Sequence, residues 1–218
     1  MGIITNLTPN SILNELMYAQ KVELFKNLLL QINRKGIQEV IDFLTNTDFF
    51  TAPSSASYHS NYKGGLLDHS LLVYTLAMKY RQALIELKPE LASQLTEESV
   101  TISALLHDVC KCGFYAQKEK WKKNESGQWE SYIGYEISDS FPIGHGEKSV
   151  IMLATIGLSL TPEEMIAIRY HMGSWDGAML TNDLKYSYQT AMNMCPLMTL
   201  LQTADNTSSL LFEKNEKN

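Results

Sequence analysis

The chain has 218 residues, 44% of them hydrophobic, and a net charge of −6. That length and apolar content are enough for one sizeable domain with its own core, and they exclude a chain disordered away from its polar end. The mild negative charge excludes a basic footprint that tracks a long phosphate backbone, so no long nucleic acid is expected; a small ligand, anionic ones included, fits better.

Three cysteines, an odd number, make no disulfide framework and suggest a reducing compartment. The start, MGIITNLTPNSIL, lacks the basic and apolar regions of a signal peptide. The longest mostly apolar run, Val150 to Leu160, is too short to span a membrane. The expectation is a cytoplasmic protein with no membrane partner. The oligomeric state is not legible.

In chain order, Thr8-Pro9 predicts a helix start. Ile12, Leu13, Leu16, Met17 and Ala19 lead into Val22, Leu24, Phe25, Leu28 to Leu30 and Ile32, and Gly36 stops the pattern. Ile37, Val40, Ile41 and Leu44 predict a short helix. Residues 1–50 therefore read as a helical extension that supplies packing and no chemistry. TAPSSASYHSNYKGG reads as a loop, and Gly64-Gly65 lets it turn tightly into a helix over about 66–87. There Leu66, His69, Leu72 or Val73, Leu76 and Tyr80 share a face, so His69 interrupts an apolar stripe. A lone histidine in such a place is more often a satisfied core residue than a ligand.

Thr96 is an N-cap for the next helix, with Glu97 and Glu98 in its first turn. Val100, Ala104, His107 and Asp108 fall at helical spacing, which puts a histidine and an acid on an inward face. Burying a polar group without a partner costs on the order of 2–7 kcal/mol, and a charge costs more. The pair needs a partner, and a metal ion is the natural candidate. Next, Trp121 and the alternation from Trp129 to Ile137 predict a β-hairpin over about 119–137, turning at Ser126-Gly127, with Lys118 to Lys123 on its solvated face. Pro142, Gly144 and Gly146 bracket His145 in a tight turn, and a helix over about 147–156 ends at Gly157. Thr161-Pro162-Glu163-Glu164 carries a capping box for a helix that bears Ile166, Ala167, Ile168 and His171. SWDGAMLTNDLKYS reads as a loop. The last helix begins near Pro196; Leu197 or Met198, Leu201, Asp205 and Phe212 share a face, which makes Asp205 another acid on an apolar stripe. The sum is one all-α domain over 1–218 with one small β-hairpin insertion.

The five histidines are His59, His69, His107, His145 and His171. With Asp108 and Asp205, the last four form an ordered set spread over separate helices. Mixed nitrogen and oxygen ligands suit manganese, iron, magnesium, zinc or cobalt better than a soft thiolate site does. Six ligands exceed the needs of one tetrahedral ion, so two ions could be held, and such a pair can activate a bridging hydroxide and clamp a phosphoryl oxygen.

The order GGLLDH, LLHDVCK, GHGEKS, RYHMG and TADN resembles the HD superfamily of metal-dependent phosphohydrolases, over roughly His59 to Asn206. The flanks look especially similar to HD domains of bacterial exoribonuclease-type proteins, where a histidine also precedes a GGLLxH segment. The resemblance implies an HD-domain-like helical bundle, with its core over 55–212. It implies His69, His107, Asp108 and Asp205 as a first metal site, and His145 and His171 as ligands of a second ion. The expected cofactor is one or two divalent ions (Mn, Fe, Mg, Zn, Co or Ni). Where relatives often read HDIGK, this chain reads HDVCK, and Tyr170 stands before a single His171 where some relatives carry paired histidines.

Asp108 and Lys111 are the catalytic candidates. Lys111 matches the lysine of HDxxK, which the resemblance assigns to a phosphate contact or to the leaving group; the bland reading is a lysine pairing with carbonyls at a helix end. His59, Lys148 and Trp175 are candidates for substrate binding, against readings as a loop histidine, a solvated lysine and a packed indole. Cys110 and Cys112 form a CxC without a second pair and read as small core residues. The function these residues suggest is hydrolysis of a nucleotide or related phosphoester by a metal-activated hydroxide, with a small molecule or short oligonucleotide as substrate. A di-iron oxygenase of the same fold and a non-catalytic nucleotide-binding module are the alternatives.

Overall fold

The computed structural model describes residues 16–175 and 181–213. The helix start expected at Thr8-Pro9 and part of the segment read as a loop after Trp175 lie outside them. The described residues form eight α-helices and one hairpin: α1 (Tyr18–Leu30), α2 (Ile37–Asn46), α3 (Gly65–Leu87), α4 (Glu97–Leu106), β1 (Tyr115–Lys123), β2 (Trp129–Ile137), α5 (His145–Ile156), α6 (Pro162–Arg169), α7 (Asn182–Met194) and α8 (Pro196–Thr207). Short 3-10 segments cover Pro89–Ser93, Val109–Lys111 and Gly173–Trp175, and a π-helical turn, Ser208–Phe212, follows α8. No helix here is long and apolar enough to cross a membrane.

The helix starts follow local chemistry. Thr96 Oγ1 accepts from Ser99 N–H at 3.2 Å. Thr161 Oγ1 accepts from Glu164 N–H, and the Glu164 carboxylate accepts from Thr161 N–H at 2.9 Å, which completes the expected capping box. Thr181 Oγ1 accepts from Leu184 N–H at 3.3 Å and starts α7, a helix where a loop was expected. Its apolar face is thin, with only Tyr188 and Ala191 buried, so periodicity gave it no signal.

Three further expectations shift. The hairpin is longer than predicted and begins at Tyr115, in register from Tyr115 opposite Ile137 to Lys123 opposite Trp129. His145 is the first residue of α5, because Gly144 caps that helix in an extended conformation. His171 lies two residues beyond α6, which stops at Arg169 when Tyr170 leaves helical geometry.

The core forms where α3 packs against α4 and α8, α8 against α6, and α5 against α6. Phe25, Phe49 and Phe50 meet at centroid distances of 5.3–5.6 Å and seat α1 and α2 on this bundle. Arg34 ties the same extension to the bundle, pairing with Glu98 at 2.7 Å and with the fully buried Glu164 at 2.5 Å.

Candidate metal centre

Five elements deliver the predicted side chains to one place. His69 stands in the second turn of α3. Gly64, at φ +87°, makes the turn into that helix, and a Cβ on Gly65 would lie 2.0 Å from Ser60 O. His107 caps the end of α4, and Asp108 leaves helical geometry at φ −104°, ψ 18°. His145 opens α5, His171 follows α6, and Asp205 lies in the last turn of α8. A Cβ on Gly146 would sit 2.1 Å from Arg169 O, so this glycine lets α5 approach the end of α6 closely enough to bring the rings of His145 and His171 to 5.2 Å.

The imidazoles are oriented alike. His107 Nδ1 lies 2.9 Å from Ala104 O, and His171 Nδ1 lies 2.7 Å from Ile168 O. His69 Nδ1 lies 2.8 Å from a Glu213 oxygen. Each acceptor fixes a proton on Nδ1 and leaves the Nε2 lone pair free to face inward. His69 Nε2 and His107 Nε2 stand 3.2 Å apart, and the buried His171 Nε2 has no hydrogen-bond partner. Imidazole nitrogens this close need either a shared proton or a cation between them, and with the carboxylates beside them this donor set fits a divalent metal. Among the described residues, four groups could hold an ion: His59, His69 and Glu213; His69, His107 and Asp205; His107, Asp108 and His171; Asp108, Cys110 and His145.

Asp108 lies at the middle of the cluster. Its Oδ2 is 2.6 Å from Lys111 Nζ and 3.4 Å from Nε2 of both His69 and His107. Its Oδ1 is 2.7 Å from His145 Nε2 and 3.5 Å from His171 Nε2. Burial pushes this carboxyl up, but the Lys111 ammonium and the His107 imidazole outweigh it and hold it well below the usual carboxylate range. Burial likewise opposes charge on Lys111, and Asp108 overrides it and raises the ammonium. At His69, burial is overcome by Glu213, Asp108 and Asp205, which raise the imidazole to about 10. His171 is raised against its burial by Asp108, whereas burial prevails at His145 and lowers it.

Glu213 is absent from the sequence reading. It lies just beyond the π-helical turn, in what reads as a polar tail. Its carboxylate accepts from Ser60 Oγ at 2.6 Å and from Ser208 Oγ while it engages His69. Burial works against its ionisation, and His69 with the two hydroxyls brings it down to about 2. Ser60 holds a positive φ of 45°, the one non-glycine to do so among the described residues, and its hydroxyl is committed to Glu213.

The remaining candidates are placed unevenly. The His59 ring lies 5.3 Å from that of His69, with a buried Nε2 that has no partner. Burial, with His69 and Lys111 nearby, lowers it to about 4, so it is neutral. Lys148 is buried, pairs with Asp139 at 2.5 Å and lies over the Phe114 ring. Trp175 is 85% exposed and closes the short 3-10 segment that follows His171. Cys110 is a buried free thiol whose Sγ lies 3.3 Å from His145 Nδ1.

The helix ends of the bundle gather histidines around an aspartate, a donor set that could hold a divalent metal. The HD domain family matches residues 66–210, and the chain belongs to that family, whose members bind divalent metals. A dihydroneopterin 2',3'-cyclic phosphate phosphodiesterase of Methanocaldococcus jannaschii is 34% identical over 68 residues, 31% of this chain and 26% of the relative. The chain thus covers about a quarter of that relative's length. No solved structure matches the chain.

Proposed function

We propose that this chain hydrolyses a nucleotide or a related small phosphoester, using one or two divalent ions held by His69, His107, Asp108, His145, His171 and Asp205. The observation that carries the reading is the division of labour at Asp108, whose two oxygens face two different sets of imidazoles. Family membership supports the reaction class. The activity for which the archaeal relative is named supports a phosphodiester, with a 2',3'-cyclic phosphate the first compound to try.

Bound in this cluster, such ions would acidify a water and offset the charge of a phosphoryl oxygen. The protein's own groups do the rest. Ala104 O, Ile168 O and Glu213 keep three imidazoles in one tautomer. Asp108 joins the two halves of the cluster. Lys111, buried against Asp108, sets a fixed positive charge beside the reacting phosphate and the departing oxygen. His59, neutral and with Nε2 unpaired, offers a substrate oxygen a hydrogen bond. Trp175 offers an exposed ring on which a base can stack. Lys148 reaches a substrate anion only by releasing Asp139.

The test is a panel of 2',3'-cyclic, linear diester and monoester nucleotides, run on protein of measured metal content. His107→Ala and Asp108→Ala should lose both metal and hydrolysis. Protein that carries no metal when supplied with manganese, zinc or iron would refute the reading, as would turnover that survives both substitutions. Oxygen consumption by iron-loaded protein without hydrolysis would move it to the oxygenase class.

A further inference from the structure

The hairpin serves no purpose in the chemistry above, yet its pattern is that of a sheet with one covered face. Each strand has nine residues, about 30 Å of ribbon. The register sets Trp121, Trp129, Ile133 and Ile137 on one face, with Glu119 and Lys123 among them. These four apolar side chains are 60%, 64%, 65% and 63% exposed. The opposite face carries the charge: Lys118 pairs with Glu136 at 2.5 Å and Lys122 with Glu130 at 3.4 Å. A solitary two-stranded hairpin is marginal in water and gains its stability from packing an apolar face.

The area of the face suits a second copy of the chain. At ~250 Å² for a Trp side chain and ~100 Å² for an Ile, the four groups leave about 400 Å² of apolar surface in water. Two such faces together give about 800 Å². An interface core about 60% apolar would then total about 1,300 Å², within the range of stable specific contacts. The charges are also self-complementary. Glu119 and Lys123 flank Trp121 two residues to either side, and neither forms an ion pair among the described residues. A two-fold axis at Trp121 that runs the facing strands antiparallel sets Glu119 of each copy opposite Lys123 of the other. A single-stranded nucleic acid fits less well, since it needs aromatic rings and several free cations on one face; the Trp121 face carries one lysine, Lys123, held 5.6 Å over the Trp129 ring, and on the other face Lys118 and Lys122 are paired with glutamates.

We propose that the Trp121 face of the hairpin is the contact by which two copies of this chain form a two-fold dimer. Sedimentation velocity on the full chain reads the outcome. The expected mass is twice the 24.7 kDa of one chain, and Trp121→Glu should sediment as a single chain with an unchanged circular dichroism spectrum. Glu119→Lys and Lys123→Glu should each weaken the dimer by about tenfold. The double reversal, which restores opposite charges across the axis, should recover most of that loss. The proposal is overturned by a wild-type chain that stays single at every concentration, by a dimer that Trp121→Glu leaves intact, or by a double reversal no tighter than either single one. A single chain whose tryptophan fluorescence is quenched by single-stranded oligonucleotide, and not in Trp121→Glu, assigns the face to nucleic acid and equally overturns it.

Discussion

Replacing Glu213 by alanine removes the acceptor of a buried donor while leaving every proposed metal ligand in place. His69 is 1% exposed, so its Nδ1–H would find no water to replace the 2.8 Å contact. Leaving such a group unsatisfied costs about 1–3 kcal/mol. At about 1.4 kcal/mol per tenfold, that is roughly 10- to 100-fold in affinity if the penalty falls on the metal-loaded form. Loss of a carboxylate behind a metal-binding histidine costs metal affinity in the same range, roughly 10–100-fold. Glu213→Gln keeps an oxygen facing Nδ1 and loses only the charge, so it should fall between wild type and Glu213→Ala. Calorimetric titration with Mn²⁺, and the visible spectrum of the Co²⁺ form, measure the affinity and the ligand field directly. Urea unfolding of the metal-free protein separates a general loss of stability from a loss of metal. A Glu213→Ala protein that binds Mn²⁺ within about twofold of wild type, with the same Co²⁺ spectrum, would refute the orienting role.

Other substitutions probe different parts of the argument. Lys111→Met should lower turnover by roughly 10²-fold with metal content unchanged, since a buried charge near the reacting centre is lost and no ligand is; loss of metal instead would show that the lysine holds Asp108 in place. Arg34→Ala leaves Glu164 fully buried without its cation, and urea unfolding should show a loss of about 3–5 kcal/mol. Gly146→Ala drives a methyl group into Arg169 O and should cost about 1–3 kcal/mol while lowering the metal stoichiometry more than His69-side affinity. Chelation should lower the melting temperature. Added metal at about a hundred times its dissociation constant should restore about 2.7 kcal/mol, and a melting curve indifferent to chelator would contradict a metal held by the folded state.

The residues most legible in the sequence are those that break a periodic apolar pattern. His69, His107, Asp108 and Asp205 each occupy a position that helical spacing assigns to the core, and the family pattern binds them to His145 and His171. Glu213 left no such trace, because it reaches His69 from an irregular turn in a run of polar residues. The α7 helix carried one local signal, the Thr181 cap with Asp183 in the first turn, and too few apolar residues to support it. The glycines around His145 read as a turn, although Gly144 is a helix cap and Gly146 a point of close helix contact. The burial of Lys148 depends on Asp139, in a connection whose path no local pattern reveals.

The carbonyl ends of α4 and α6 converge on this pocket, with the last turn of α8 beside them. Aligned peptide dipoles leave about half a unit of negative charge at such an end. These ends attract a cation, whereas the N-terminal end of α5 at His145 opposes it, and titration removes neither contribution. Exchanging Asp108 or Asp205 for its amide takes away a carboxylate and leaves these backbone fields untouched. The field that an ion meets at each part of the pocket is thus written partly into the direction in which the chain runs through its helices.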